Sequence, residues 1–280
     1  MCIRDRHYFD FNILPSNTHL KKVIAVLLAV VTVAFAFAAC SGSKTDKSTS
    51  DYDKVVKSGK IVVGVTVYEP MDYKDKDGNW TGFDAELAEA VAKKMGVKAE
   101  FVAINWDNRF TELASGTVDC LWNGMTIDDS VKANCSLSNP YATNSQVVVM
   151  KKDKLAKYKD AASMSELNIA VEKGSAGEKE AQKISKNVLS LALQSDALKE
   201  VHAGTSDACI IDSTMANAMT ADGKDFSDLG YTVSLTTEQY GIGFRKDSDM
   251  ASKINAYLDE LKKDGTLQKL SEKYGVNLAK

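Results

Sequence analysis

A thirteen-residue pattern occurs twice in this chain and limits the folds that it can adopt. Glu112-Leu-Ala-Ser-Gly-Thr-Val-Asp-Cys-Leu-Trp-Asn-Gly124 aligns without gaps with Glu200-Val-His-Ala-Gly-Thr-Ser-Asp-Ala-Cys-Ile-Ile-Asp212. The Glu, Gly, Thr and Asp recur at the same spacing, and each copy is typical of a helix end, a glycine cap and a buried strand. Chance similarity is the alternative, but Ile61-Val-Val-Gly and Asn168-Ile-Ala-Val provide a second parallel. The repeat therefore predicts two similar α/β lobes.

The segments around the first copy of the repeat support a sheet flanked by helices. Residues 60–68 form an apolar strand, and residues 71–80, with Asp77-Gly78 between them, are typical of a hairpin. This hairpin explains the acids at Asp75 and Asp77 better than a calcium loop does. Residues 84–95 predict a helix that ends at Gly96, since its acids come early and its lysines come late. Strands that alternate with helices indicate a parallel α/β sheet.

Small polar residues follow the predicted buried strands at the points where a ligand would bind. Asn123 to Thr126 follow one strand, and Asp212 ends the equivalent strand in the second half. Ligands of open parallel sheets bind beyond the carboxyl ends of the strands, so the two tips are expected to line a cleft between the lobes. The loop at Gly174-Ser175 precedes a helix predicted over residues 178–185, and its backbone N–H groups either bind an anion or only form a tight turn and cap.

Charge and motif content exclude several function classes. A net charge of −3 gives no basic surface for nucleic acid. His202 is the only histidine after residue 40, and no hydrolase, metalloprotease or nucleotide-binding motif is present, so we predict no catalytic residue, no metal and no cofactor. Cys120 and Cys209 have apolar neighbours and are expected in the core rather than in a disulfide or a zinc site.

The N-terminal residues have the pattern of an export signal. Lys21-Lys22 precede an apolar run that ends in Phe37-Ala-Ala-Cys40, too short for a membrane span of about 20 residues. We predict a signal peptide over residues 20–39 and a lipid anchor on Cys40, with a plainly secreted protein as the alternative, because Phe37 replaces the leucine usual before such a cysteine. Residues 1–19 are interpreted as a mis-started or non-native extension, and residues 40–52 as a flexible tether.

Several short segments in a fixed order, covering nearly the whole chain after the tether, resemble the family 3 extracellular solute-binding proteins, the polar amino-acid receptors of ABC importers. The segments are Tyr68-Glu-Pro-Met71, Gly82-Phe-Asp-Ala-Glu-Leu-Ala88, Gly116-Thr-Val-Asp119, Gly124-Met-Thr-Ile127, Ser138-Asn-Pro-Tyr141, Gly174-Ser175, Asp207 to Asp212, Tyr240-Gly-Ile-Gly243 and Lys263-Asp-Gly-Thr-Leu267.

The resemblance implies an α/β fold of the two-lobed periplasmic-binding-protein type II, in which each lobe is a mostly parallel sheet flanked by helices. Residues 53–145 and 239–280 would form lobe 1 and residues 146–238 lobe 2, joined by two crossing hinge segments near residues 144–146 and 238–240. The lobes would close over a ligand, and the closed form would dock on a membrane permease driven by an ATPase. We expect a monomer held outside the cytoplasm at the bacterial cell membrane.

The resemblance also assigns ligand contacts to nine positions. Tyr68 and Trp106 would flank the ligand side chain. Asn123, Gly124 and Thr126 would bind its α-carboxylate with the backbone of Ser175 and Ala176. Asp212 would pair with the α-ammonium, and Glu172 lies where relatives contact the ligand side chain, so Glu172 and Asp212 together favour a cationic ligand.

One position departs from the family pattern. Relatives carry an arginine five residues after the threonine to bind the carboxylate, whereas this chain has Val131. Loss of that bidentate contact would weaken binding by about 30- to 1000-fold unless another group replaced it. Arg109 and Lys132 are the two cations nearby in sequence, and the sequence alone does not decide whether either reaches the cleft. The alternative function is a secreted enzyme similar to the cyclohexadienyl dehydratases, for which Glu172 is the candidate proton-transfer acid.

Overall fold

The structure is a computed structural model that describes residues 50–280. The predicted extension, the signal peptide and Cys40 lie outside the described residues. Helix α1 begins at Asp51, where the Ser50 side chain accepts from the Asp53 backbone N–H, so regular structure starts inside the segment predicted as a tether. In the described part of the chain, no helix is long and apolar enough to cross a membrane.

Fourteen strands are assigned in the described residues. They are β1 Lys60–Val65, β2 Tyr73–Lys74, β3 Trp80–Thr81, β4 Lys98–Ala103, β5 Cys120–Leu121, β6 Cys135–Leu137, β7 Ala142–Asn144, β8 Gln146–Lys151, β9 Ile169–Glu172, β10 Val188–Leu191, β11 Ala208–Asp212, β12 Leu229–Ser234, β13 Glu238–Tyr240 and β14 Gly243–Arg245. The predicted hairpin is confirmed, since β2 pairs with β3 in antiparallel orientation around Gly78. The first strand is shorter than predicted and ends at Val65.

Nine α-helices accompany these strands between residues 50 and 280. They are α1 Asp51–Ser58, α2 Phe83–Met95, α3 Arg109–Ser115, α4 Asp129–Asn134, α5 Ala176–Ile184, α6 Gln194–Ala203, α7 Ser213–Met219, α8 Met250–Lys263 and α9 Thr266–Tyr274. The predicted α2 is confirmed: its acids lie in the first turn, its lysines in the last, and Gly96 ends it at φ 76°.

The strands form two five-stranded sheets, in the orders β4-β1-β5-β14-β6 and β10-β9-β11-β8-β12. In each sheet one strand runs against the other four: β14 is antiparallel to β5 and β6, and β8 is antiparallel to β11 and β12. Strand β8 directly follows β7, and β14 directly follows β13. Strands β7 and β13 pair with each other in antiparallel orientation where the chain passes from one sheet to the other. The predicted two-lobed α/β fold is confirmed, while the lobe boundaries stay a prediction.

The repeat corresponds to the same local structure in both sheets. Gly116 and Gly204 end α3 and α6 with φ 79° and 80°, a left-handed conformation that favours glycine. The repeated aspartates also make matching contacts: Asp119 accepts from the Val62 backbone N–H and Asp207 accepts from the Asn168 N–H, both at 2.9 Å. Each aspartate thus fixes the start of the neighbouring parallel strand.

The three cysteines of the described chain lie inside the protein. Cys120 and Cys209 are fully buried and Cys135 is nearly so, and none of the three is in a disulfide. The prediction that Cys120 and Cys209 are core residues is confirmed. Burial raises the pKa of all three thiols, that of Cys135 to about 11, so they are unreactive at neutral pH.

Candidate functional site

A small cavity, partly open to solvent, lies between the strand ends of the two sheets. Eight of the nine predicted ligand contacts line it, namely Trp106, Asn123, Gly124, Thr126, Glu172, Ser175, Ala176 and Asp212. The first four come from the first sheet and its loops, and the last four from the second sheet, so the cavity brings together residues far apart in sequence.

Tyr68 is the ninth predicted contact, and it is not among the residues that line the cavity. Its ring is 2% exposed, and its hydroxyl oxygen lies 2.7 Å from that of Tyr240. A Cβ placed on Gly124 would come within 2.6 Å of the Tyr68 ring, so the ring packs behind the strand tip. Tyr68 therefore supports the cavity wall in this structure, instead of covering the space where a ligand side chain would lie.

The strand tip after β5 is held by hydrogen bonds to a loop, to helix α2 and to the crossing strand β13. The Asn123 amide donates to Asp72 Oδ2 at 2.7 Å and accepts from the Thr66 backbone N–H and hydroxyl. The Gly124 backbone N–H donates to Asp84 Oδ2 at 2.6 Å, and the Thr126 hydroxyl donates to Glu238. The Asn123 side-chain amide is thus already hydrogen-bonded within the protein, whereas the sequence predicted that it would bind a ligand carboxylate.

Asp212 ends β11 with its carboxylate buried among amide donors. Gln146 Nε2 donates to Oδ1 at 2.7 Å, Gln194 Nε2 donates to Oδ2 at 2.6 Å, and Asn144 also donates to Oδ1. Burial raises the pKa of Asp212 to about 6, with a further contribution from Glu238, while these hydrogen bonds oppose the rise. Asp212 is therefore mostly ionised at neutral pH but has no cationic partner in the described chain.

Glu172 ends β9 on the same side of the cavity. It is 3% exposed, and its Oε1 has no hydrogen-bond partner in residues 50–280. Burial raises the pKa of Glu172 to about 8, and the negative charge of Asp212 adds to the rise. Glu172 is thus mostly protonated at neutral pH, and a cation placed beside it would favour the ionised form.

Arg109 is a cavity residue that is not among the nine predicted contacts, although the sequence left open whether Arg109 or Lys132 reaches the cleft. It begins α3, is 6% exposed and lies in the cavity wall with Val131, which is itself buried. Lys132, in contrast, is exposed and does not line the cavity. The available signal was the spacing: Arg109 follows the predicted contact Trp106 by three residues, which places both in one turn, and the Arg109 guanidinium carbon lies 4.9 Å from the Trp106 ring centre.

The loop before α5 lines the cavity from the second sheet, whereas Arg109 lines it from the first. Gly174 has φ 76°, and the Ser175 hydroxyl accepts from the Glu178 backbone N–H at 3.1 Å, so the predicted turn and cap are present. Helix α5 begins at Ala176, and its free backbone N–H groups form the positive end of the helix dipole. The cap does not exclude anion binding, since Ser175 and Ala176 also line the cavity.

The remaining candidate residues of the sequence lie outside this cavity. His202 is partly exposed, and its Nδ1 lies 2.7 Å from Asp228 Oδ1. Within the described chain, no group of three or more His, Cys, Asp or Glu side chains is arranged to hold a metal ion. The cavity chemistry therefore comes from three carboxyl groups, one guanidinium, amides and backbone N–H groups.

Comparison with known proteins identifies relatives of the whole described chain. The sequence profile of the bacterial extracellular solute-binding proteins, family 3, matches residues 61–277. The arginine-binding extracellular protein ArtP of Bacillus subtilis is 30% identical over 269 residues, covering 91% of this chain and 98% of ArtP.

Solved structures give the same result at the level of the fold. An ABC uptake transporter substrate-binding protein from Streptococcus pneumoniae with bound histidine is 31% identical, with a TM-score of 0.76 over 83% of this chain and 99% of that one. The ancestral amino acid-binding protein AncCDT-1, a precursor of cyclohexadienyl dehydratase, is 34% identical, with a TM-score of 0.75 over 80% of this chain and 99% of that one.

Proposed function

Because the chain belongs to the bacterial extracellular solute-binding proteins of family 3, we propose that it captures an amino acid for an ABC importer. The observation that carries this proposal is the cavity between the two sheets, whose lining combines Asp212, Glu172 and the start of α5 from one sheet with Arg109 from the other. Groups of both signs in one cavity suit a zwitterion, since a charge removed from water needs a fixed opposite charge.

Among amino acids, we propose that the ligand carries a cationic side chain. Asp128, Glu172 and Asp212 give the cavity three carboxyl groups against the single guanidinium of Arg109. One carboxylate is offset by the ligand's α-ammonium and another by a cationic side chain, whereas Asp128 is already paired with Lys179. The similarity to ArtP and to the histidine-bound structure supports this choice, because the first is named for arginine and the second holds histidine.

We propose partners and a location from the family alone. After closing on its ligand, the protein would dock on a membrane permease that an ATPase drives, and it would act as a monomer outside the cytoplasm. Acylated Cys40 would tether it to the membrane after removal of the signal peptide. Mass spectrometry of the mature N-terminus tests this last point: a diacylglyceryl group on Cys40 supports the anchor, and cleavage elsewhere without lipid supports a plainly secreted protein.

The enzyme alternative has one observation in its favour. Glu172 is a buried carboxyl with a pKa of about 8 and a free oxygen in the cavity, as a proton-transfer acid requires. The similarity to a precursor of cyclohexadienyl dehydratase points the same way, but that precursor is itself named an amino acid-binding protein. We propose binding without turnover, and incubation with prephenate or arogenate tests it, since product formation would support the enzyme.

A ligand panel tests the proposed function directly. The mature protein is heated with each of the twenty amino acids, with polyamines and with small organic cations. A true ligand present at about 100 times its Kd adds about 2.7 kcal/mol to the free energy of unfolding, which gives a clear thermal shift. Shifts confined to amino acids with cationic side chains support the proposal. Shifts only with compounds that lack a cationic side chain reject the ligand class, and no shift with any amino acid rejects amino-acid capture.

A further inference from the structure

Arg109 is a buried cation without an ion-pair partner in the described chain. No carboxylate oxygen of residues 50–280 lies within 4.0 Å of its guanidinium, although Asp128, Glu172 and Asp107 act on it from farther away. Its Nη1 donates to the Trp106 backbone carbonyl at 2.8 Å, whereas its Nε has no hydrogen-bond partner. A buried charge in this state costs several kcal/mol, a cost that an anion bound from outside the described chain would offset.

Packing holds the guanidinium at the cavity. Its central carbon lies 4.3 Å from the Phe110 ring centre and 4.9 Å from that of Trp106. Such contacts with aromatic faces restrict the rotation of the side chain. Among the described residues that line the cavity, Arg109 is the only one with a positively charged side chain.

The start of α5 lies against the same guanidinium from the opposite sheet. A Cβ built on Gly174 would approach Arg109 Nη1 to 3.2 Å, which places the loop before α5 in direct contact with the arginine. The first backbone N–H groups of a nine-residue helix follow two residues later, at Ala176. Helix N-termini bind carboxylates through these N–H groups, and a guanidinium adds charge-assisted hydrogen bonds.

We infer that Arg109 and the amino end of α5 form the subsite for the ligand's α-carboxylate. Arg109 thereby replaces, from a different helix, the arginine that relatives carry at the position of Val131. Residues 109 and 131 border the same cavity, and Val131 is 2% exposed. This inference rests on the proposed capture of an amino acid, and it assigns the carboxylate-binding group within that function.

Paired ligands that differ only in the carboxylate test the inference. L-Arginine and agmatine share the guanidinium and the amine, and agmatine lacks the α-carboxylate. The wild-type protein is expected to bind arginine at least about 30-fold more tightly than agmatine, the size of one bidentate charge-assisted contact. In Arg109→Met this ratio is expected to fall to about threefold or less, because the aliphatic stem remains and the charge is lost.

Two further variants separate the subsite from general effects. Lys132→Met removes the same charge from an exposed position outside the cavity and is expected to leave the ratio unchanged. The double variant Arg109→Met/Val131→Arg returns a guanidinium to the cavity and is expected to restore most of the preference for arginine. Because both ligands are measured on the same sample, partial misfolding lowers the active fraction without changing the ratio.

The possible outcomes distinguish this inference from the proposed function. If wild-type protein binds arginine but Arg109→Met keeps the full preference over agmatine, the subsite is wrong and the capture of a cationic amino acid stands. If neither arginine nor agmatine binds, arginine is not the ligand. The same variants are then measured with histidine and histamine, which likewise differ only in the α-carboxylate. A preference for histidine that disappears in Arg109→Met supports the carboxylate subsite for that ligand.

Discussion

Asp212 and Glu172 line one cavity but are ionised to different extents before a ligand arrives. Asp212 accepts hydrogen bonds from three side-chain amides, whereas one oxygen of Glu172 has no partner among the described residues. Because both are buried, this difference in hydrogen bonding contributes to the higher pKa of Glu172. Asp212 is thus already charged to pair with a cationic ligand group, whereas Glu172 would become ionised only if a cation bound beside it.

Asp212→Asn is expected to weaken the binding of L-arginine by at least about 100-fold, because the amide cannot offset a buried ammonium. Isothermal titration calorimetry measures the change. The matched control is Asp153→Asn, which removes one negative charge from an exposed position and is expected to leave Kd unchanged. An Asp212→Asn protein with wild-type affinity would remove Asp212 from the binding site.

Binding of a cationic amino acid is expected to release about one proton per ligand at pH 7, mostly from Glu172. The pKa of Glu172 is raised to about 8 without ligand, and the bound cation lowers it. Affinity should therefore rise with pH up to about 8 and fall as the solution becomes more acidic. Calorimetry in buffers with different ionisation enthalpies counts the protons, and Glu172→Gln is expected to remove most of the release. A binding enthalpy that is independent of the buffer would contradict this assignment.

The residues of the cavity were predictable where a strand end or a loop carries them directly. Asn123 to Thr126 and Asp212 follow buried strands, and Glu172 and Ser175 flank a recognisable turn. Gln194 was missed, and Arg109 could not be chosen over Lys132, because each lies in a helix whose relation to the cavity depends on tertiary packing. The Asn123 side chain was placed correctly at the tip, but its hydrogen bonds to Thr66 and Asp72 depend on a loop distant in sequence.

At the level of elements, helix α2 fixes the tip of β5 through one buried side chain. Asp84 lies in its first turn, and its Oδ2 accepts from the Gly124 backbone N–H and from the Tyr141 hydroxyl at 2.8 Å. Burial raises the pKa of Asp84 to about 7 even though these hydrogen bonds oppose the rise. One carboxyl thus links a helix, the strand tip in the cavity wall and the segment that leads to the crossing strands.

Asp84→Ala is expected to lower the free energy of unfolding by about 2–4 kcal/mol, because it leaves a buried N–H and a buried hydroxyl without an acceptor. Asp84→Asn retains an acceptor oxygen and is expected to cost about 1 kcal/mol. Urea denaturation measures both, with Asp259→Ala on the exposed face of α8 as the control. Equal losses for Asp84→Ala and Asp84→Asn would show that the acceptor does not hold the tip.

The elements themselves were largely predictable because glycine caps and aspartate contacts act locally. Gly96, Gly116 and Gly204 end helices where the sequence indicates, and the repeated Asp119 and Asp207 make the same backbone contact. The end of β1 at Val65 was not predictable in this way. There the apolar run continues, but the Tyr68 backbone N–H bonds to Asp72 and turns the chain out of the sheet.

At the scale of the whole described chain, three ion pairs join the two sides of the cleft, and in each of them the lysine comes from the same side. Lysines of residues 146–238 meet acids of residues 53–145 at Lys173–Asp107 (3.0 Å), Lys179–Asp128 and Lys224–Glu69 (3.7 Å). All three lie at least partly in solvent, so each contributes about 0.2–1 kcal/mol. Together they stabilise the arrangement in which the two sides meet.

Replacing all three lysines by methionine is expected to weaken ligand binding by about three- to thirtyfold, since the closed arrangement loses part of its stabilisation. The same protein should lose most of the salt dependence of Kd that the wild type shows. Titration at low and high salt measures both effects. The matched control changes Lys54, Lys183 and Lys199, whose ion pairs lie within single helices, and is expected to retain wild-type affinity. An unchanged Kd in the cleft variant would show that these pairs do not stabilise closure.

The buried cysteines give the protein a practical use as an optical sensor. The three thiols between Ser50 and Lys280 are buried and protonated at neutral pH, so they would not compete for a dye with a cysteine introduced on the surface of this part of the chain. An environment-sensitive fluorophore at position 129, on the exposed rim beside Asp128, would sense the approach of Lys179 from the other side. Such a labelled protein would report amino-acid concentration as a change in emission, with no enzyme, no radiolabel and no consumption of the compound being measured.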